Sequence, residues 1–215
     1  VLRFALRNIW LSPLRLRMFF AASRLFRDLG LARLLLKSGL ASRISPRAEF
    51  GVALLESSRA IFRSPKSSTK TDRRGESVLL FSGCVGEGLF ARVNRATARV
   101  FRATNVQVNT PKDQVCCGAL HAHAGDLEGA RELARKNIAA FESDAPIVTN
   151  AGGCGAMLVT YKHLFANDET LAQAAANFSA RVRDVSQQLE SSGMLTAPSA
   201  VESPVTYDTS CHLLY

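Results

Sequence analysis

Apolar positions recur at two different periods along the chain, and the change of period divides it. Near the start the spacing is helical: Leu2, Leu6, Ile9 and Trp10 line up, with Arg3 and Arg7 four residues apart. Ser12-Pro13 interrupts that pattern and opens a second helix, with Ser12 as N-cap and Pro13 in the first turn. This helix carries Leu16, Phe19, Phe20 and Phe26, with Arg15, Arg17, Arg24 and Arg27 between them, and Gly30 ends it. A short third helix is expected from Leu31 to Lys37. Residues 41–76 read as a linker, because Ser, Arg, Pro, Lys and Thr dominate from Ser64 to Glu76 and leave little to bury. Within it, Glu49 to Phe62 has the pattern of one more short helix.

At Ser77 the texture changes. Ser77 to Phe81 is a continuous apolar run of the kind found in strands buried on both faces. A helical pattern follows Gly83-Cys84, with Phe90, Val93, Ala96, Thr97, Val100 and Phe101 on one side and Arg92, Arg95, Arg99 and Arg102 on the far side. Further strands are expected at Val106–Asn109, Ile147–Asn150 and Pro204–Asp208. Helices are expected from Gly125 to about Glu142, from Met157 to Phe165 and from Thr170 to Leu189. Strands alternating with helices predict an α/β fold, a parallel sheet with flanking helices, preceded by the basic N-terminal helices. In such sheets ligands gather beyond the carboxyl ends of the strands. Cys84, Cys154 and Cys211 each directly follow an expected strand, so they belong to one edge.

Charge sharpens the division. The chain of 215 residues has a net charge of +9, yet residues 1–76 hold 16 Lys/Arg against 5 Asp/Glu and the rest holds 11 against 13. The basic first segment suits a surface lying on anionic lipid or on a partner subunit, or plain helices with their arginines in water. Nucleic acid is disfavoured, since no reading motif accompanies the charge. No secretory signal is visible, and no uncharged stretch approaches the length that spans a bilayer. A chain that starts at Val1 and stops at Tyr215, just after a cysteine motif, is expected to be a piece of a longer protein.

The five cysteines carry the chemistry. Cys116 and Cys117 are adjacent and run into Gly118, within Val115-Cys-Cys-Gly-Ala-Leu-His-Ala-His-Ala-Gly125. Vicinal cysteines suit a site where two thiolates must enter one small space. Gly118 would let the backbone approach closely or take a positive φ. An odd cysteine count with a vicinal pair argues against a secreted disulfide framework. Cys84, Cys116, Cys117 and Cys154 supply four thiolates, the usual complement of a [4Fe–4S] cluster. A structural zinc competes, but zinc sites usually show C-x₂₋₄-C pairs and this chain has none. Small buried cysteines are the bland alternative, and a thiol redox enzyme would show C-x-x-C at a helix start. His121 and His123 could hydrogen-bond a cluster or simply cap and pack, and His212 follows Cys211. Gly152, Gly153 and Gly155 lie between strand and helix without the pattern of a phosphate loop.

Ser82-Gly-Cys-Val85, the Val115–Gly125 stretch, Asn150-Ala-Gly-Gly-Cys-Gly155 and Tyr207-Asp-Thr-Ser-Cys-His-Leu213 resemble the cysteine-rich CCG domain. That domain occurs in heterodisulfide reductases, lactate-utilisation proteins and anaerobic glycerol-3-phosphate dehydrogenase. The form here is most similar to iron–sulfur subunits of glycolate oxidase, and the resemblance covers residues 77–215. It implies that Cys84, Cys116, Cys117 and Cys154 bind a [4Fe–4S] cluster in a first repeat and that Cys211 is the opening metal ligand of a second. Noncubane forms of the repeat carry C-x-x-C at the third position, whereas Cys154 is followed here by Gly155, Ala156 and Met157. The implied role is electron transfer from a flavoprotein subunit toward quinone in a 2-hydroxy-acid (glycolate) oxidase. The implied location is cytoplasmic, peripherally on the inner membrane, with residues 1–40 as the contact to anionic lipid.

Overall fold

A computed structural model describes residues 2–59 and 76–193 of the chain. Its N-terminal part is entirely helical: α1 (Leu2–Ala5), a π-helical turn (Leu6–Trp10), α2 (Pro13–Asp28), α3 (Leu31–Lys37), α4 (Leu40–Ile44) and α5 (Pro46–Ser57). Pro13 occupies the first turn of α2, where a missing N–H costs nothing, and Gly30 follows its end. The Ser45 hydroxyl caps α5 by accepting from the Ala48 N–H at 3.0 Å. Helix therefore continues to Ser57, well into the stretch that composition marks as linker; residues 60–75 lie outside the described residues.

The second part alternates strands and helices: β1 (Ser77–Leu80), α6 (Cys84–Ala103), β2 (Gln107–Asn109), α7 (Ala119–His123), α8 (Leu127–Ala140), β3 (Ile147–Thr149), α9 (Gly152–Val159), α10 (Tyr161–Leu164), α11 (Ala172–Arg181), β4 (Val182–Asp184) and α12 (Val185–Ser191). The four strands form one parallel sheet in the order β2-β1-β3-β4, with Ser77 opposite Gln107, Leu79 opposite Ile147, and Ile147 opposite Val182. Side chains alternate across the strands. Leu79, Phe81 and Ile147 enter a core closed by Ala130, Leu133, Leu158, Tyr161 and Phe178. Val78 and Val148 enter a smaller one with Phe101 and Leu189. Both faces of the sheet are covered, which is why β1 and β3 read as unbroken apolar runs.

Two elements differ from expectation. The helix expected from Thr170 to Leu189 is broken by β4. The Arg181 guanidinium donates to the carbonyls of Phe141, Ser143 and Ala145, pinning the end of α11 beside the loop that leads into β3. The chain then runs extended along β3, and Asp184 restarts the helix through a capping box with Gln187. A strand of three residues with two charges leaves no alternating signal. Helix α9 begins five residues earlier than expected, at Gly152, so Cys154 lies in its first turn. A Cβ on Gly155 would stand 3.2 Å from Thr149 Cγ2, so glycine there lets the helix start hard against β3. The expected strand at Pro204–Asp208, Cys211 and His212 lie outside the described residues.

Candidate metal centre

The strand order reverses between β1 and β3: the chain leaves β1 toward β2 on one side and returns past it to β3 and β4 on the other. A crevice opens at the carboxyl ends of strands at such a reversal. Cys84 opens α6 directly after β1, and Cys154 lies in the first turn of α9 directly after β3. Cys116 and Cys117 come from the loop between β2 and α7. Gly118 meets both demands on it: φ is +90°, and a Cβ would stand 3.3 Å from the Ala130 backbone of α8. Gly83, with φ +68°, leaves room for the Cys154 sulfur, 3.6 Å from where its Cβ would be.

The four sulfurs meet. Cys84 Sγ and Cys116 Sγ are 3.3 Å apart, and hydrogen-bonding contacts continue from Cys116 to Cys117 and from Cys117 to Cys154. The result is a chain of thiols, 84–116–117–154, all unoxidised, with the central pair buried. Cys116 is pushed up by its hydrogen bonds with Cys117 and Cys84, and burial adds to this. Cys154 is pushed up by its hydrogen bond with Cys117 and then by burial. Cys117 is held well below the ordinary thiol value by its hydrogen bonds with Cys116 and Cys154. Cys84 is lowered by its hydrogen bond with Cys116, against the cost of its burial. Two sulfurs that favour the thiolate thus alternate with two that hold their protons more tightly. Among the described residues, no group of three or more His, Cys, Asp and Glu side chains is disposed to hold a single metal ion. The donor set nevertheless fits a sulfur-ligated iron cluster: four convergent thiols in an apolar surround, two of them, Cys84 and Cys117, already disposed to give up their protons.

A buried polar frame holds the vicinal pair. Asn137, fully buried on α8, accepts from the Val115 N–H at 2.9 Å and donates to the Cys116 carbonyl and to the Tyr161 hydroxyl, each at 3.0 Å. Tyr161 in turn donates to the Cys117 carbonyl at 2.8 Å. Gln114 ties the same loop to β1, accepting from the Ser82 N–H and donating to the Leu80 and Pro111 carbonyls. None of these three was legible as a site residue, although an Asn on the apolar stripe of α8, one residue before Ile138, is a signal of buried bonding.

The N-terminal helices reach the site as well. Trp10 packs against the core that holds the cysteines, and its buried indole N–H has no hydrogen-bond partner. It lies near enough to Cys84 to favour the thiolate there. Of the two histidines, His123 is exposed and His121 is fully buried. His121 Nδ1 sits 3.0 Å from Asp126 Oδ2, while its Nε2 has no partner. Arg7 grips the same carboxylate at 2.7 and 3.1 Å. Asp126 is held far below the usual carboxylate range, first by Arg7 and then by His121. Glycine at 129 is what admits this pair: a Cβ there would fall 2.4 Å from His121 Nδ1.

A crevice at the sheet reversal lined by four thiols from three chain segments defines a cysteine-rich site, and residues 78–159, from β1 through α9, match the family described as CCG, cysteine-rich domain. Over 141 residues, 63% of its length, the chain is 42% identical to a probable glycolate oxidase iron-sulfur subunit of Bacillus subtilis, of which the match covers 32%. It is 31% identical over 137 residues to lactate utilization protein A of Oceanobacillus iheyensis, covering 56% of that protein, and 30% identical to its counterpart in Shouchella clausii. The chain thus spans about a third to somewhat over half of these relatives. No solved structure matches it.

Proposed function

We propose that Cys84, Cys116, Cys117 and Cys154 ligate a [4Fe–4S] cluster and that the chain is an electron-carrying part of a 2-hydroxy-acid oxidising complex, with glycolate as the substrate. The observation that carries this reading is the run of four hydrogen-bonded thiols at the carboxyl edge of the sheet. The cluster would supply one-electron transfer. The protein's own work is to bind, orient and insulate: Asn137 and Tyr161 fix the backbone of the vicinal pair, and the apolar core excludes water. The Trp10 N–H is placed to donate to sulfur, which stabilises added negative charge. Electrons would come from a flavoprotein subunit and go on toward quinone. The relatives named for glycolate oxidase and lactate utilization support the substrate class.

No described helix is long and apolar enough to cross a membrane. For the N-terminal helices we propose contact with anionic lipid at the cytoplasmic side of the inner membrane. On α2 and its C-cap, Leu14, Met18, Leu25 and Leu29 are exposed along one stripe beside Arg15, Arg17 and Arg24. Anaerobic cluster assembly on the purified chain, followed by low-temperature EPR after reduction, tests the cluster reading. A signal from a reduced cluster that disappears in Cys154→Ser is expected; a chain that takes up no iron under those conditions contradicts it.

A further inference from the structure

Helices α2 and α6 and the loop 110–116 leave between them a cavity of about 910 Å³, open on one side. It lies within the size range of small-molecule sites. Trp10, Leu16, Phe20 and Ala98 give it an apolar lining, and Cys84 and Cys116 border it. Its charged lining is almost wholly cationic: Arg17 and Arg24 from α2, Arg95, Arg99 and Arg102 from α6, and Lys112 from the loop. Glu87 is the one carboxylate in the lining among the described residues, and it accepts from Asn94 at 2.9 Å.

The arginines of α6 are spaced four and three apart, which puts them on one helix face. Like charges so placed weaken a helix unless something neutralises them. Among the described residues, the side chains of Arg17, Arg95, Arg99, Arg102 and Lys112 have no hydrogen bond or ion pair. A basic cleft with an apolar wall, uncompensated by acids among the described residues apart from Glu87, attracts an anion that also has apolar surface to bury.

We propose that this cleft binds a small amphipathic anion, a carboxylate or phosphate with an aliphatic or aromatic body. Arg95, Arg99, Arg102 and Lys112 hold the head, and Trp10, Phe20 and Ala98 cover the body. The proposal stands apart from the cluster reading, because its test reads the cleft and not metal.

Trp10 is the single tryptophan of the chain, so its emission reports on the cleft directly. Octanoate and octyl phosphate titrated into the full chain are expected to change Trp10 fluorescence saturably. Binding by both, or by one alone, supports the proposal and identifies the head group. The double variant Arg99→Glu/Arg102→Glu, at one half-buried and one exposed position of α6, is expected to weaken binding about tenfold or more. Lys112→Glu, in a loop, is expected to weaken it without touching a helix, and Lys136→Ala on α8 is expected to leave it unchanged. An equal response to octyltrimethylammonium, no saturable response to either anion, or undiminished binding by folded charge-reversal variants overturns the proposal. Saturable binding of hexaglutamate without binding of either octyl anion also overturns it, pointing instead to an acidic protein segment.

Discussion

In the second part of the chain, Val78, Leu79, Leu80 and Phe81 are all buried, and the helices around the sheet turn their apolar faces onto them. In the N-terminal helices, Phe4, Leu14, Met18, Ile44 and Phe50 are each more than 60% exposed. Twelve of the seventeen large exposed apolar side chains among the described residues lie before Ser58. Both regions carry amphipathic helices of ordinary length, so propensity does not separate them. What differs is the partner. The sheet gives the helices around it a second layer to cover. The N-terminal helices have one another, where Ala32 and Ala41 are buried, and a strip that touches the second part of the chain, with contacts that include Arg7 to Asp126, Arg24 to the Gly88 carbonyl and Trp10 beside the cysteines. One region is a self-sufficient core; the other is a docked layer whose outer face is open.

If that contrast is right, the largest effects belong to the thiols. Cys84→Ser and Cys154→Ser are expected to abolish cluster binding, because each supplies a sulfur from a separate strand end. Either vicinal substitution is expected to leave a labile cluster, since its neighbour stays at the site, and Cys211→Ser is expected to leave iron content unchanged. Iron per chain in the five single variants measures this.

Next comes the frame beneath them. Asn137→Ala removes bonds to Val115, Cys116 and Tyr161 inside a fully buried site. A loss of about 3 kcal/mol is expected, the scale of several unsatisfied buried groups. Urea unfolding of the metal-free chain checks it, and a loss below half of that would show the frame to be dispensable.

The seam between the two regions is expected to respond less. Asp126→Asn removes a charged acceptor from Arg7 and His121 and is expected to cost about 2 kcal/mol. Asp126 titrates below its ordinary range when folded. Its contribution is therefore complete above the unfolded value near pH 4 and is lost as the pH falls through the lower folded value. Wild-type stability should decline on acidification below about pH 5, and the Asp126→Asn chain should show a shallower decline. Smallest in stability, within about 0.5 kcal/mol, is Leu14→Ser/Met18→Ser on the open face. The same variant is expected to weaken binding to anionic vesicles. Unchanged binding at low salt would assign that face to something other than lipid.

Much of this arrangement was legible beforehand, for physical reasons that differ by element. Strands β1 and β3 stand out because burial on both faces forces unbroken apolar runs. Cys84 and Cys154 could be put on one edge because parallel strands all end on the same side. Strand β4 was hidden, since it is held by Arg181 and by pairing to β3, neither of which leaves a local pattern. Asn137 and Tyr161 act through contacts 21 to 44 residues away along the chain, beyond any spacing rule. The Arg7–Asp126–His121 link spans 119 residues at its wider step and ties the basic segment to the domain in a way that charge counting missed.

Iron and acid-labile sulfide per chain, measured on protein purified without oxygen, test the central claim most directly. About four of each is predicted, the content of one [4Fe–4S] cluster held by four thiolates. One zinc per chain without sulfide would contradict the account and make the same four cysteines a structural metal site.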